Sequence, residues 1–177
     1  MRPGDPLPGL TAAERGRFLL GKALFERLAT ADEGLGPLYN ADRCSSCHDQ
    51  PAVGGGGDRI LVVKATAFED GRCRDLRPEG GDNIQQRVTP LLEALGVEPE
   101  RIPPSATDTV RVTAPPLFGL GLLEAVPEEA LVSMAREQAA GGVVSGRVPG
   151  SSTGRSARFG RKGDAVSVAD FVDTALR

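Results

Sequence analysis

Tryptophan is absent from this chain of 177 residues, tyrosine occurs once and phenylalanine six times. So few rings leave a core to be filled by Leu, Val and Ala, or by a group the sequence does not encode. Lys and Arg number 21 against 24 Asp and Glu. Without a basic surplus concentrated on one face, neither a nucleic acid nor an anionic membrane is expected as a partner. Long apolar runs are missing too. Leu19 to Ala29 is interrupted by Lys22 and Glu26, and Leu117 to Val126 by Glu124, and both fall short of the roughly 20 residues of a membrane span. The opening Met1-Arg2-Pro3-Gly4-Asp5-Pro6 lacks the apolar region of a secretory signal. The chain is therefore read either as cytoplasmic or as one whose signal was removed or lies upstream of the chosen start.

What is plentiful is Gly, with 23 residues, and Pro, with 14. The length predicts one domain over residues 1–177, with 1–9 as an extended lead-in. Thr11 and Glu14 have the spacing of a capping box. Phe18, Ala23, Phe25 and Leu28 then recur at near-helical spacing, which predicts an amphipathic helix from Ala12 to Ala29. Gly21 in its middle weakens that helix and suggests a close contact with another element. After a break at Gly34, Gly36 and Pro37, a short helix is expected with Asn40 as its N-cap. Ile60 to Val63 reads as a short strand and Ile84 to Leu95 as a helix broken at Pro90. Thr109 to Thr113 alternates. Pro127, Glu128 and Glu129 open a helix running to about Ala140, and a last helix covers Val168 to Leu176. From Gln138 to Gly163 there are five basic residues and no acidic one, read mainly as a solvated loop.

The chemistry concentrates on one short segment. Of three cysteines and one histidine in the chain, two cysteines and the histidine stand together as Cys44-Ser45-Ser46-Cys47-His48. Residues three apart on a helix share a face, so both thiols can add to the vinyl groups of one haem while the next residue offers an imidazole nitrogen to the iron. Two other readings compete. A structural zinc site needs four ligands, and only Cys73 remains to join these three. A thioredoxin-like redox pair belongs at a strand-to-helix junction, which the segment from Gly34 to Asn40 does not resemble. A haem also supplies the flat apolar surface that the aromatics do not.

If His48 is one axial ligand, no histidine is left for the other face of the iron. Met134 is the internal methionine and the natural thioether candidate; Tyr39, a lysine or water are the others. Arg43, Arg59, Lys64 and Arg111 are candidates for neutralising haem propionates. Glu124, in an apolar segment, is expected to have a raised pKa and to act as a distal acid/base or to pair with an arginine in the core. Cys73 is expected to be a free thiol.

Three runs together resemble a known family. The first is Gly34-Leu35-Gly36-Pro37-Leu38-Tyr39-Asn40, followed by Cys44 to Pro51 and Gly54-Gly55-Gly56. The second is Pro115 to Pro127. The third is Ser145-Gly146-Arg147 with Gly154-Arg155 and Arg158 to Lys162. The chain is similar to the bacterial di-haem oxidoreductases known as thiol oxidoreductases or di-haem peroxidases, over nearly its whole length. The resemblance implies a periplasmic protein, Cys44 and Cys47 as thioether attachment points and His48 as axial ligand. The family's second Cys-x-x-Cys-His is absent, so the chain looks like the N-terminal half of such a protein. Gly141 to Val144 stand where the family carries acidic residues, and Arg161 where it carries an aromatic.

The expectations combine as follows. The fold is mainly α, a cytochrome c-like helical haem domain with long Gly/Pro-rich loops and at most a short strand pair. One haem c is covalently attached at Cys44, Cys47 and His48. The function is electron transfer in the periplasm with a redox partner protein. The alternative is a haem peroxidase-like module, half of a di-haem enzyme, with an open distal iron.

Overall fold

The structure is a computed structural model that describes residues 2–141, 143–144, 146–150, 154–160 and 163–176. Ser145, Arg161 and Lys162, which belong to the family-like runs, lie outside the described residues. The chain divides into two compact units, Met1–Phe118 and Gly119–Arg177.

In the first unit, α1 spans Ala12–Glu26 and begins with the expected capping box: Glu14 N–H donates to Thr11 Oγ1 at 3.3 Å, and Thr11 N–H to Glu14 Oε2 at 2.8 Å. The helix stops three residues short of the sequence expectation because Arg27 turns extended. Gly21 does not mark a close contact: a Cβ built there would meet nothing within 4 Å. Gly21→Ala is therefore expected to stabilise the protein by about 0.5–1 kcal/mol, through helix propensity and a less flexible unfolded chain, read as a higher urea midpoint.

The mainly helical expectation is overturned. The fold is mixed α/β, with two small antiparallel sheets among the described residues. β1 (Leu38–Tyr39) pairs with β4 (Arg87–Val88), and a three-stranded sheet places β2 (Gly57–Glu69) between β3 (Arg72–Asp75) and β5 (Asp108–Ala114). β2 runs over Gly57–Glu69, three times the strand expected from Ile60 to Val63, because Lys64-Ala65-Thr66-Ala67-Phe68 continues it with a strand alternation. Ala65 and Ala67 turn inward and are buried, whereas Phe68 is exposed. Asp70 and Gly71, both at positive φ, make the two-residue turn into β3 (Arg72–Asp75), with Glu69 opposite Arg72. Asp-Gly between strand residues is a strong hairpin signal. β5, Asp108–Ala114, pairs with the other edge of β2.

The core of this unit is small: Ala65, Ala67, Leu76 and Ile84, with Val63 and Ala106 packed against it. The expected helix from Ile84 to Leu95 is replaced by β4 and the short α2, Pro90–Ala94, with Pro90 opening the helix instead of breaking it.

In the second unit, α3 (Leu120–Glu124), α4 (Glu128–Gly141) and α5 (Val168–Ala175) accompany buried Ala157, Phe159 and Ala165. Side chains tie this unit together at its helix ends. Arg158 donates to the carbonyls of Leu123 at 3.1 Å and Val126 at 2.7 Å, at the C-terminal end of α3 and just after it. Glu128 Oε1 accepts from the N–H and hydroxyl of Ser156 at 3.2 and 2.8 Å. Part of the basic segment is thus structural. Among the described residues, no helix is long and apolar enough to cross a membrane.

Candidate functional site

Cys44–Ser46 form a single 3₁₀ turn, tighter than the short helix expected there. Cys47 N–H and His48 N–H both donate to the Cys44 carbonyl, at 3.2 and 3.1 Å, so the two cysteines and the histidine share one closed turn. Asn40 is not the N-cap. Its Oδ1 accepts from the backbone and side-chain amides of Gln86, at 3.1 and 3.2 Å, and so joins the turn's approach to the start of β4. Arg43 occupies the cap position without a side-chain bond.

The loop after the turn folds back on itself. Gly54 N–H donates to the His48 carbonyl at 2.9 Å, Gly56 N–H to the Gln50 carbonyl at 2.8 Å, and Gln50 N–H returns to the Gly56 carbonyl at 2.8 Å. This leaves Gly55 pressed against the opposite limb: a Cβ there would lie 1.9 Å from the Gln50 carbonyl oxygen. Gly57, two residues on, starts β2 and pairs with Ala114 at the end of β5. The strand ends therefore bring Gly55 and Pro115 to the same place.

That place is the imidazole. His48 Nδ1 lies 3.2 Å from the Gly55 carbonyl oxygen and 3.0 Å from that of Pro115. Carbonyl oxygens only accept, so Nδ1 is the nitrogen that carries a proton, and in the neutral ring Nε2 keeps its lone pair. A fixed tautomer with the far nitrogen basic is what a metal-ligating histidine needs. Phe25 of α1 stands 6.2 Å from the imidazole, centre to centre.

All three cysteines are free thiols, Cys44 exposed and Cys47 half-buried. Desolvation pushes the Cys44 thiol above its ordinary value; desolvation, then the Cys44 and Asp49 charges, do the same at Cys47. Redox-active Cys-x-x-Cys pairs depend on the opposite shift. Among the described residues, no three of His, Cys, Asp and Glu are grouped to hold a metal ion, and Cys73 stands apart on β3 opposite Phe68. The donor set, two protonated thiols beside one oriented imidazole, fits a haem attached by two thioethers better than zinc or a dithiol. Apolar surface is at hand as well. Leu19, Leu20, Leu24 and Leu28, on α1 and just after it, and Phe118 are all exposed.

The other candidates separate. Arg59 is paired with Asp49 at 3.0 Å and Arg43 with Asp42 at 3.6 Å; Lys64 is half-buried and donates to Asn83 Oδ1 at 2.6 Å. Arg111 stands on β5 opposite Val63. Tyr39 is on β1, with the Arg87 guanidinium 5.0 Å above its ring. Met134 is exposed on α4 in the second unit. Glu124 departs from expectation: it is exposed, not buried, and its Oε1 accepts the Val168 N–H at 2.9 Å, where a carboxylate meets the positive end of α5. Sequence reasoning missed the two carbonyls that orient His48. A backbone acceptor has no residue signature, and only the glycine run hinted at a close approach.

No family model, no curated protein and no solved structure matches the chain.

Proposed function

We propose that this chain binds one covalent haem c through Cys44, Cys47 and His48 and passes electrons in the periplasm to a redox partner protein. In this reading it is a relative of the bacterial di-haem oxidoreductases that its motifs resemble. The observation that supports it is the doubly held Nδ1–H of His48 on the turn that carries both free thiols. Cys44 and Cys47 would hold the group by adding their Sγ atoms across its two vinyl substituents, each thiol hydrogen passing to the other vinyl carbon. His48 would offer Nε2 to the iron, and the Gly55 and Pro115 carbonyls would stop the ring from turning. When bound, the haem supplies a one-electron ferric/ferrous couple. The peroxide-activating alternative is less well supported, because its acid/base candidate, Glu124, is engaged at the start of α5.

The test is production in a bacterial periplasm equipped for haem c maturation. Haem that stays with the polypeptide on a denaturing gel, at one per chain, is the expected result; a chain that carries none overturns the reading. Electron paramagnetic resonance of the loaded ferric protein then separates the two functions. A low-spin, six-coordinate signal is expected, and a high-spin signal would favour the open iron of a peroxidase.

A further inference from the structure

Asp49 follows His48 directly, and nothing in the haem reading uses it. Its backbone N–H donates to the Gly56 carbonyl at 3.1 Å, which fixes where the side chain leaves the turn. The two carboxylate oxygens meet different surroundings. Oδ2 lies 3.0 Å from Nη1 of Arg59. Oδ1 is shut off from water and has no hydrogen-bond partner. A carboxylate oxygen buried without a donor is costly, and such an atom calls for a reason.

Gly57 shows what Oδ1 faces. A Cβ built on Gly57 would lie 3.3 Å from Asp49 Oδ1 and 2.3 Å from the Cys47 carbonyl oxygen. The oxygen therefore sits against the back of the turn that carries the cysteines and the histidine, in space that only a glycine leaves open. The compensating cation is placed differently. The Arg59 side chain is 70% exposed, against 21% for Asp49, so water and salt screen the guanidinium far more than the carboxylate. Elsewhere on the same segment Asp42 pairs with Arg43, and Asp58 Oδ1 accepts from the Gln50 amide at 3.3 Å.

We propose that Asp49 tunes the potential of the haem by holding its carboxylate, one oxygen buried and without a donor, against the Cys47–His48 turn, favouring the ferric state, with Arg59 as an exposed counterweight that offsets the charge only in part. The proposal rests on the haem reading above. A ferric centre carries one more positive charge than a ferrous one, so a nearby anion stabilises it and lowers the midpoint potential.

The experiment is a redox titration of the haem-loaded protein at constant pH and two ionic strengths, with bound haem quantified first. Asp49→Asn is expected to shift the ferric/ferrous equilibrium about tenfold toward ferrous, which is about 59 mV upward for a one-electron couple. Arg59→Gln is expected to move it the other way, by less, and by less still at high salt. A role in packing alone would change the melting temperature of Asp49→Asn but not its potential, and an unchanged potential overturns the proposal. If Asp49→Asn fails to load haem, Arg59→Gln decides: a potential no lower than that of the parent overturns it. A parent chain that attaches no haem overturns the haem reading instead, a result distinct from either.

Discussion

Gly55→Ala is expected to destabilise the fold severely. The added methyl carbon would fall 1.9 Å from the Gln50 carbonyl oxygen, 2.5 Å from the carbonyl carbon and 2.9 Å from the Ala52 carbonyl oxygen. All three obstacles are backbone, so no side chain can swing away, and relief requires breaking the Gly56–Gln50 bonds that close the loop. The cost is about 4 kcal/mol or more, at the far end of the range for single substitutions, against a total stability of roughly 5–15 kcal/mol for a domain. Circular dichroism and urea melts of the purified chain measure it. The same change moves the Gly55 carbonyl off His48, so any fraction that does fold should load haem poorly. A Gly55→Ala chain with the parent's melting curve would show that the loop is not closed in this way.

The pair Cys44→Ser and Cys47→Ser is expected to abolish covalent haem while leaving the fold intact. Cys44 opens the 3₁₀ turn and is exposed, and Cys47 caps its end and is half-buried, so replacing sulfur by oxygen should cost no more than about 1 kcal/mol at each. Each single variant keeps one thioether. Cys73→Ser, on β3, should attach haem as the parent does. The measurement is mass spectrometry of the intact chain after acid extraction of loosely held haem. Haem still retained by the double variant would sink the assignment of the two thiols.

Much of the helical framework is legible in the sequence, because helix signals are local. Thr11 with Glu14, and Pro127 with Glu128 and Glu129, mark starts that the structure keeps within a residue. Ser167, with Asp170, closes another capping box ahead of α5. The cluster Cys44, Cys47 and His48 is legible for the same reason, since its chemistry is written in adjacent residues. The sheet is harder to read. Ile60 to Val63 announce a strand, but its continuation alternates small Ala65 and Ala67 with polar Lys64 and Thr66, a pattern of weak hydrophobic contrast. Asp70-Gly71 was the available clue to the hairpin. Glu124 misleads because an apolar run promises burial. That promise fails when the run forms a helix of only five residues, with Leu122 and Leu123 exposed. Gly21 misleads because its vacant side chain faces open space.

The hydrogen bond from His48 to Pro115 spans 67 residues of chain. Closing so large a loop is slow compared with forming a helical turn. The cysteines sit on a local turn, ready early, but the histidine's proton is settled only once β2 and β5 have zipped together as far as Gly57 and Ala114. Orientation of the imidazole is in effect a late checkpoint in folding. An iron bound there would hold the two strand ends together and slow amide exchange at Leu117, whose N–H donates to the Gly54 carbonyl beside the same junction.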